Sequence, residues 1–100
     1  MTKREKMPDR ADLGASIRSL RKQRELTIDE FAHLADIHDT HLSKIERGIG
    51  NPTWKVMIGI AAAFDLTLAE LVQHVEGTAR AREGYELVAQ DVEKRTGLKL

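Results

Sequence analysis

Apolar residues recur along this chain at helical spacing, in blocks separated by polar caps and breakers. Leu13, Ile17 and Leu20 stand at i, i+4 and i+7, one buried face of a helix, while Arg18, Arg21, Lys22 and Arg24 occupy its other faces. Asp9 or Asp12 can cap this helix, which is expected to end near Arg24 or Glu25. Thr27 followed by Glu30 is a capping box for a second, short helix whose inner face is read as Phe31, Ala32, Leu34 and Ala35. That helix stops at Asp36. A third runs from Asp39 to Arg47 with Leu42 and Ile45 inward, and Gly48 closes it in the left-handed conformation. Gly50, Asn51 and Pro52 form a turn. Thr53 caps a fourth helix carrying Val56, Met57, Ile60, Ala61 and Phe64, broken at Asp65. Thr67 caps a fifth with Leu68, Leu71, Val72 and Val75, and Gly77 is read as its end.

The tail is less regular. Tyr85, Val88 and Val92 share one helical stripe, which predicts a sixth helix from about Tyr85 to Arg95. The stripe either covers one end of the core or meets a partner subunit. The chain thus divides into a charged arm (1–8), a helical domain (9–77) and a helical tail (78–100), and the fold class is all-α.

The second and third blocks carry the function. Two short helices broken by a tight turn outline a helix-turn-helix, whose second helix enters the DNA major groove. Ala32 must be small where the helices cross, Ile37 plugs the turn, and Leu42 and Ile45 pin the reading helix to the core. The opposite face holds Thr40, His41, Lys44 and Arg47, with Asp39 and Ser43 at its borders. Side chains of such different reach suit base-edge readout. Asp39 at the leading edge either caps the helix, stabilised by its dipole, or accepts a hydrogen bond from cytosine N4.

Charge qualifies this picture. Lys and Arg number 16 and Asp and Glu 16, so the formal net charge is zero. Affinity for DNA must come from local placement of Lys44, Arg47, Lys55 and Arg21, with Lys3, Arg4 and Lys6 on the arm. The absence of cysteine excludes disulfides, cysteine-zinc sites and thiol catalysis. His33, His38 and His41 near Asp36 invite a metal reading, but no second helix-spaced ligand pair supports it, so neither metal nor cofactor is expected. Glu30 and Glu46 are taken up by capping and pairing, and no phosphate-cradling glycine loop occurs, so no enzyme is expected. No apolar run reaches membrane-spanning length and the start lacks a signal peptide's apolar stretch, which predicts a cytoplasmic protein.

From Leu13 to Leu71 the sequence resembles the Cro/CI (XRE) family of lambda repressor-like helix-turn-helix regulators. The matching pieces are LGASIRSLRKQRELT, LSKIERG, NP followed by Thr53, and IAAAFDLTLAEL. The resemblance implies a five-helix domain with its motif at 28–47. It implies base readout by Asp39, Thr40, His41 and Lys44. It implies phosphate contacts from Thr27, Ile28, Ser43, Arg47, Asn51, Thr53 and Trp54, with Trp54 acting through its backbone while its ring packs. It also implies a structural ion pair between Arg21 and Glu46. The chain departs from the family at Ile28, where many members carry Gln, and at Asp36, where the turn has Gly.

The expected function is sequence-specific binding to double-stranded operator DNA as a dimeric repressor. Leu68, Leu71, Val72 and Val75 are the expected pairing surface of a homodimer. Two alternatives keep the DNA-binding half: an antitoxin whose tail folds on a toxin, or a restriction-modification controller.

Overall fold

The computed structural model describes residues 8–99, so Lys3, Arg4 and Lys6 of the charged arm lie outside the described residues. The described residues form five helices and no strand: α1 (Arg10–Gln23), α2 (Ile28–Ala35), α3 (Asp39–Glu46), α4 (Trp54–Ala63) and α5 (Leu68–Thr96). Local chemistry sets each start. Asp9 caps α1 and Asp12 returns the bond, so the two aspartates form one capping box. Thr27 with Glu30 and Thr67 with Glu70 repeat that arrangement on α2 and α5, and Thr53 caps α4 through the Val56 amide. Each box satisfies amides that have no partner inside the helix.

The core is one cluster built on Ile17, Phe31, Leu42, Ile45, Ile60, Phe64 and Leu71. Phe31 and Phe64 stack with ring centroids 4.2 Å apart. Arg24 lies over the Phe64 ring at 5.0 Å and donates from Nη2 to the Phe64 carbonyl (3.1 Å), tying the end of α1 to the end of α4. Three helix junctions use non-glycine residues with positive φ: Glu25, Asp36 and Asp65.

Three expectations change here. Leu34, read as an inner residue of α2, is 58% exposed. The fourth residue of a short helix's apolar set has no neighbour to meet once Phe31, Ala32 and Ala35 fill the contact. Gly77 does not end α5, and no separate sixth helix begins at Tyr85, because α5 runs unbroken for 29 residues. A glycine inside a helix costs only about 1 kcal/mol, and tertiary contacts offset it. Ala79 is buried, Ser16 Oγ and Thr78 Oγ1 lie 2.7 Å apart, and Arg82 forms a two-pronged ion pair with Asp12 (2.8 and 2.8 Å). The Arg82 hydrogen bonds hold the buried Asp12 carboxyl down at about 2, overcoming the desolvation that would raise it. Finally, Leu71 and Val75 lie inside the protomer. Of the four expected dimer residues, Leu68 packs partly on the core and Val72 alone is substantially exposed. No single helix among the described residues is long and apolar enough to cross a membrane.

Candidate nucleic-acid interface

The reading helix α3 is eight residues long, too short to stand alone, so its position depends on what grips it. Leu42 and Ile45 are fully sunk in the core. α1 crosses its end at Gly14. A Cβ there would stand 2.5 Å from the Glu46 carbonyl oxygen and closer still to that of Ile45, so only glycine admits this approach. Gly48, at φ +79°, turns the chain back, and the amides of Ile49 and Gly50 then close on the Lys44 carbonyl at 3.0 and 3.1 Å.

Arg21 completes the grip. Its Nε and Nη2 donate to the two Glu46 carboxylate oxygens at 2.7 and 2.9 Å, and its Nη1 donates to the Leu26 carbonyl at 2.7 Å. The two side chains are only 10% and 4% exposed. The Glu46 hydrogen bond raises the Arg21 pKa above its ordinary value. One guanidinium thus joins α1, the start of the motif and the end of α3. It is consequently spoken for, and Arg21 drops out of the cations that a phosphate could meet.

The turn between α2 and α3 places Asp36 at φ 57°, ψ 47°, in the left-handed region. Asp and Asn visit that region more readily than other side-chain-bearing residues. His38 occupies the N-cap of α3 with no side-chain bond, and Asp39 is the first helical residue. The Asp39 carboxylate accepts from the Thr40 amide (2.7 Å) and the Thr40 hydroxyl (3.3 Å). Its negative charge therefore sits on the helix's positive end and is partly occupied.

At about 100° per residue, Thr40, Lys44 and Arg47 point directly away from Leu42 and Ile45, and all three are exposed. Asp39 is exposed at one border. His41 and Ser43 are half-buried, so His41 stands closer to the core than the rest. Ile28, Asp39, Thr40, Ser43 and Arg47 line one shallow depression between the start of α2 and the outer face of α3. Arg47 folds back along its helix, with Nε donating to the Ser43 carbonyl at 3.3 Å. Thr27 is exposed, whereas Ile28 is half-buried, packed partly against the core, with no side-chain group to hydrogen-bond a phosphate. Within the box on α2, the Thr27 amide lowers the pKa of Glu30.

Asn51, Thr53 and Trp54 lie exposed at the start of α4. Thr53 Oγ1 accepts from Val56, and the first amides of α4 have no intrahelical acceptor, a ready anion site. The Trp54 ring does not pack as expected: it is 71% exposed. As the first residue of α4, it extends beyond the contact that Val56, Met57 and Ile60 make with the core. His33, Asp36 and His38 line a separate small depression, but neither they nor any other three His, Asp or Glu side chains among the described residues are arranged to hold a metal ion.

This arrangement defines a class: an all-α domain whose second and third helices present a braced, polar helix face beside the N-terminus of α2. The helix-turn-helix model HTH_3 matches residues 17–71, and the chain belongs to that family, of the Cro/CI (XRE) type. It is 33% identical over 60 residues to the HTH-type transcriptional regulator DdrOP3 of Deinococcus deserti. That match covers 60% of this chain and 46% of DdrOP3, so the chain spans less than half the length of that relative. In fold it is similar to the clp gene regulator ClgR of Corynebacterium glutamicum, with a TM-score of 0.83 and 23% identity over 95% of this chain and 100% of that one. It is also similar to the master regulator for biofilm formation SinR, solved in complex with DNA. There the TM-score is 0.56 and the identity 28%, over 60% of this chain and 97% of SinR.

Proposed function

We propose that this chain is a sequence-specific DNA-binding transcription regulator that acts as a homodimer on a two-fold related operator and represses by occlusion. The observation that carries the reading is the outward face of α3. Thr40, Lys44 and Arg47 are exposed opposite a fully buried anchor, with the start of α2 beside them. In this reading α3 enters the major groove, and Thr40, Lys44, Asp39 and His41 meet base edges. Thr27, Ile28, Ser43, Arg47, Asn51, Thr53 and Trp54 meet the sugar–phosphate backbone through side chains or amides. Dimerisation follows from size, because an eight-residue reading helix spans only a few base pairs. Two copies reading half-sites about 34–36 Å apart supply the missing specificity. The protein works inside the cytoplasm, where its operator is.

The test is a binding titration with DNA upstream of its own gene. Lys44→Ala should weaken specific binding by about 1–3 kcal/mol if it reads a base, whereas Arg47→Ala should weaken binding to all sequences alike. A protein that retains wild-type affinity after both substitutions, or that binds no DNA, overturns the reading.

A further inference from the structure

The shallow depression between α2 and α3 brings a carboxylate and an apolar side chain together at the reading face. Ile28, Asp39, Thr40, Ser43 and Arg47 line it, and Ile28 is their apolar member. Ile28 is the first residue of α2 and Asp39 the first of α3. Asp39 uses one carboxylate oxygen within the protein: Oδ1 accepts from the Thr40 amide and hydroxyl. Oδ2 has no hydrogen-bond partner among the described residues, and Asp39 is exposed. Arg47 does not neutralise it, because Nε of Arg47 donates to the Ser43 carbonyl instead. The depression thus offers an open acceptor beside an apolar wall.

A carboxylate carried into the groove of a polyanion is repelled unless a donor meets it. Two bases donate in the major groove, cytosine from N4 and adenine from N6, whereas guanine O6 and thymine O4 are acceptors. The two donors differ in what lies beside them. Adenine carries the acceptor N7 next to its amino group, and an isoleucine there leaves N7 without a partner. Cytosine carries the C5 carbon next to its amino group, which an isoleucine covers without stranding any polar atom.

We infer that Asp39 and Ile28 together specify one cytosine in each half-site and bind it more tightly when its C5 is methylated. Oδ2 of Asp39 accepts from N4–H, while Ile28 and the Thr40 methyl group close over C5. A 5-methyl group then meets an apolar wall instead of water. The inference deepens the DNA reading above and rests on it, since α3 must lie in the major groove. It gives Asp39 both roles, with Oδ1 holding the first turn of α3 and Oδ2 reading a base. It also gives a reason for Ile28 to be apolar where many family members carry Gln.

The test starts from duplexes selected out of random DNA. Each cytosine in one half-site is replaced in turn by 5-methylcytosine or by another base, and the duplexes are titrated with the parent, Asp39→Asn and Ile28→Gln. Titrations run well below the melting temperature of both variants. In the parent, one cytosine should cost about tenfold or more in affinity when replaced. Its methylation should tighten binding about fourfold, the value of one buried methyl group. Asn serves a helix start as well as Asp but pairs with adenine N6 and N7. Asp39→Asn should therefore move the preference at that position from cytosine to adenine, whereas a residue that only caps would leave it in place. Ile28→Gln should keep the cytosine preference and lose the methyl gain. Methylation that weakens binding or leaves it unchanged overturns the inference. So does a methyl gain that survives Ile28→Gln, or a position sensitive to Asp39 that is not cytosine. Those results leave the DNA-binding reading standing, whereas a protein that enriches no motif overturns both.

Discussion

Replacing Glu46 by Ala removes the carboxylate that accepts Nε and Nη2 of Arg21 at 2.7 and 2.9 Å. Arg21 keeps its bond to the Leu26 carbonyl but becomes a cation with a 10% exposed side chain and no counter-charge. Stranding one member of a buried pair costs about 3–5 kcal/mol, a large part of the roughly 5–15 kcal/mol that holds a domain together. For a chain of this size, even 3 kcal/mol lowers the melting temperature by about 12–24 °C. Thermal and urea melts read this directly. Because Glu46 faces α1 rather than the outward side of α3, DNA affinity should fall only in proportion to the unfolded fraction. The double change Arg21→Met with Glu46→Leu should recover most of the loss, since no lone charge remains; the Leu26 carbonyl keeps it from recovering all. A Glu46→Ala shift of only a few degrees would refute the reasoning, as would lost DNA affinity at a temperature where the variant is fully folded.

Acid should weaken the hold on α5. Asp12 has its folded pKa depressed to about 2 from 3.8, so its contribution is present above pH 3.8 and fades as pH falls toward 2. Melts across that window should show a smaller decline for Asp12→Asn than for the parent. Gly14→Ala should destabilise, because its Cβ meets the α3 carbonyls, while Glu25→Gly should stabilise by about 1 kcal/mol by relieving a left-handed residue; chemical melts measure both. With Arg21 committed to Glu46, the exposed cations near the interface are Lys44, Arg47 and Lys55. The slope of log affinity against log salt, at about −0.9 per phosphate neutralised, should therefore be shallow, and deleting residues 1–6 should flatten it further if the arm meets phosphate.

Local chemistry was the legible part of this molecule. Thr27, Thr53 and Thr67 announce helix starts because a capping hydroxyl acts within three residues of itself, and the apolar intervals around Leu42 and Ile45 place the inner side of α3. Periodicity identifies an apolar side without saying what covers it. Leu71 and Val75 therefore read as partner surface when they lie inside the protomer, and Leu34 and Trp54 read as packed when they are exposed. Asp12 and Arg82 lie 70 residues apart, and nothing near either announces the other. Without that pair, Gly77 looks like an end rather than the midpoint of a docked helix. The role of Gly14 was hidden for the same reason, since its close neighbour is the backbone of α3, two helices further along the chain.

Selection of bound duplexes from random DNA, with the half-site spacing read out, tests the central claim most directly. The account predicts an enriched motif of two inverted half-sites centred about 10–10.5 base pairs apart, with enrichment at some positions lost on Lys44→Ala. Failure to enrich any motif, or enrichment indifferent to Lys44 and Arg47, would contradict it.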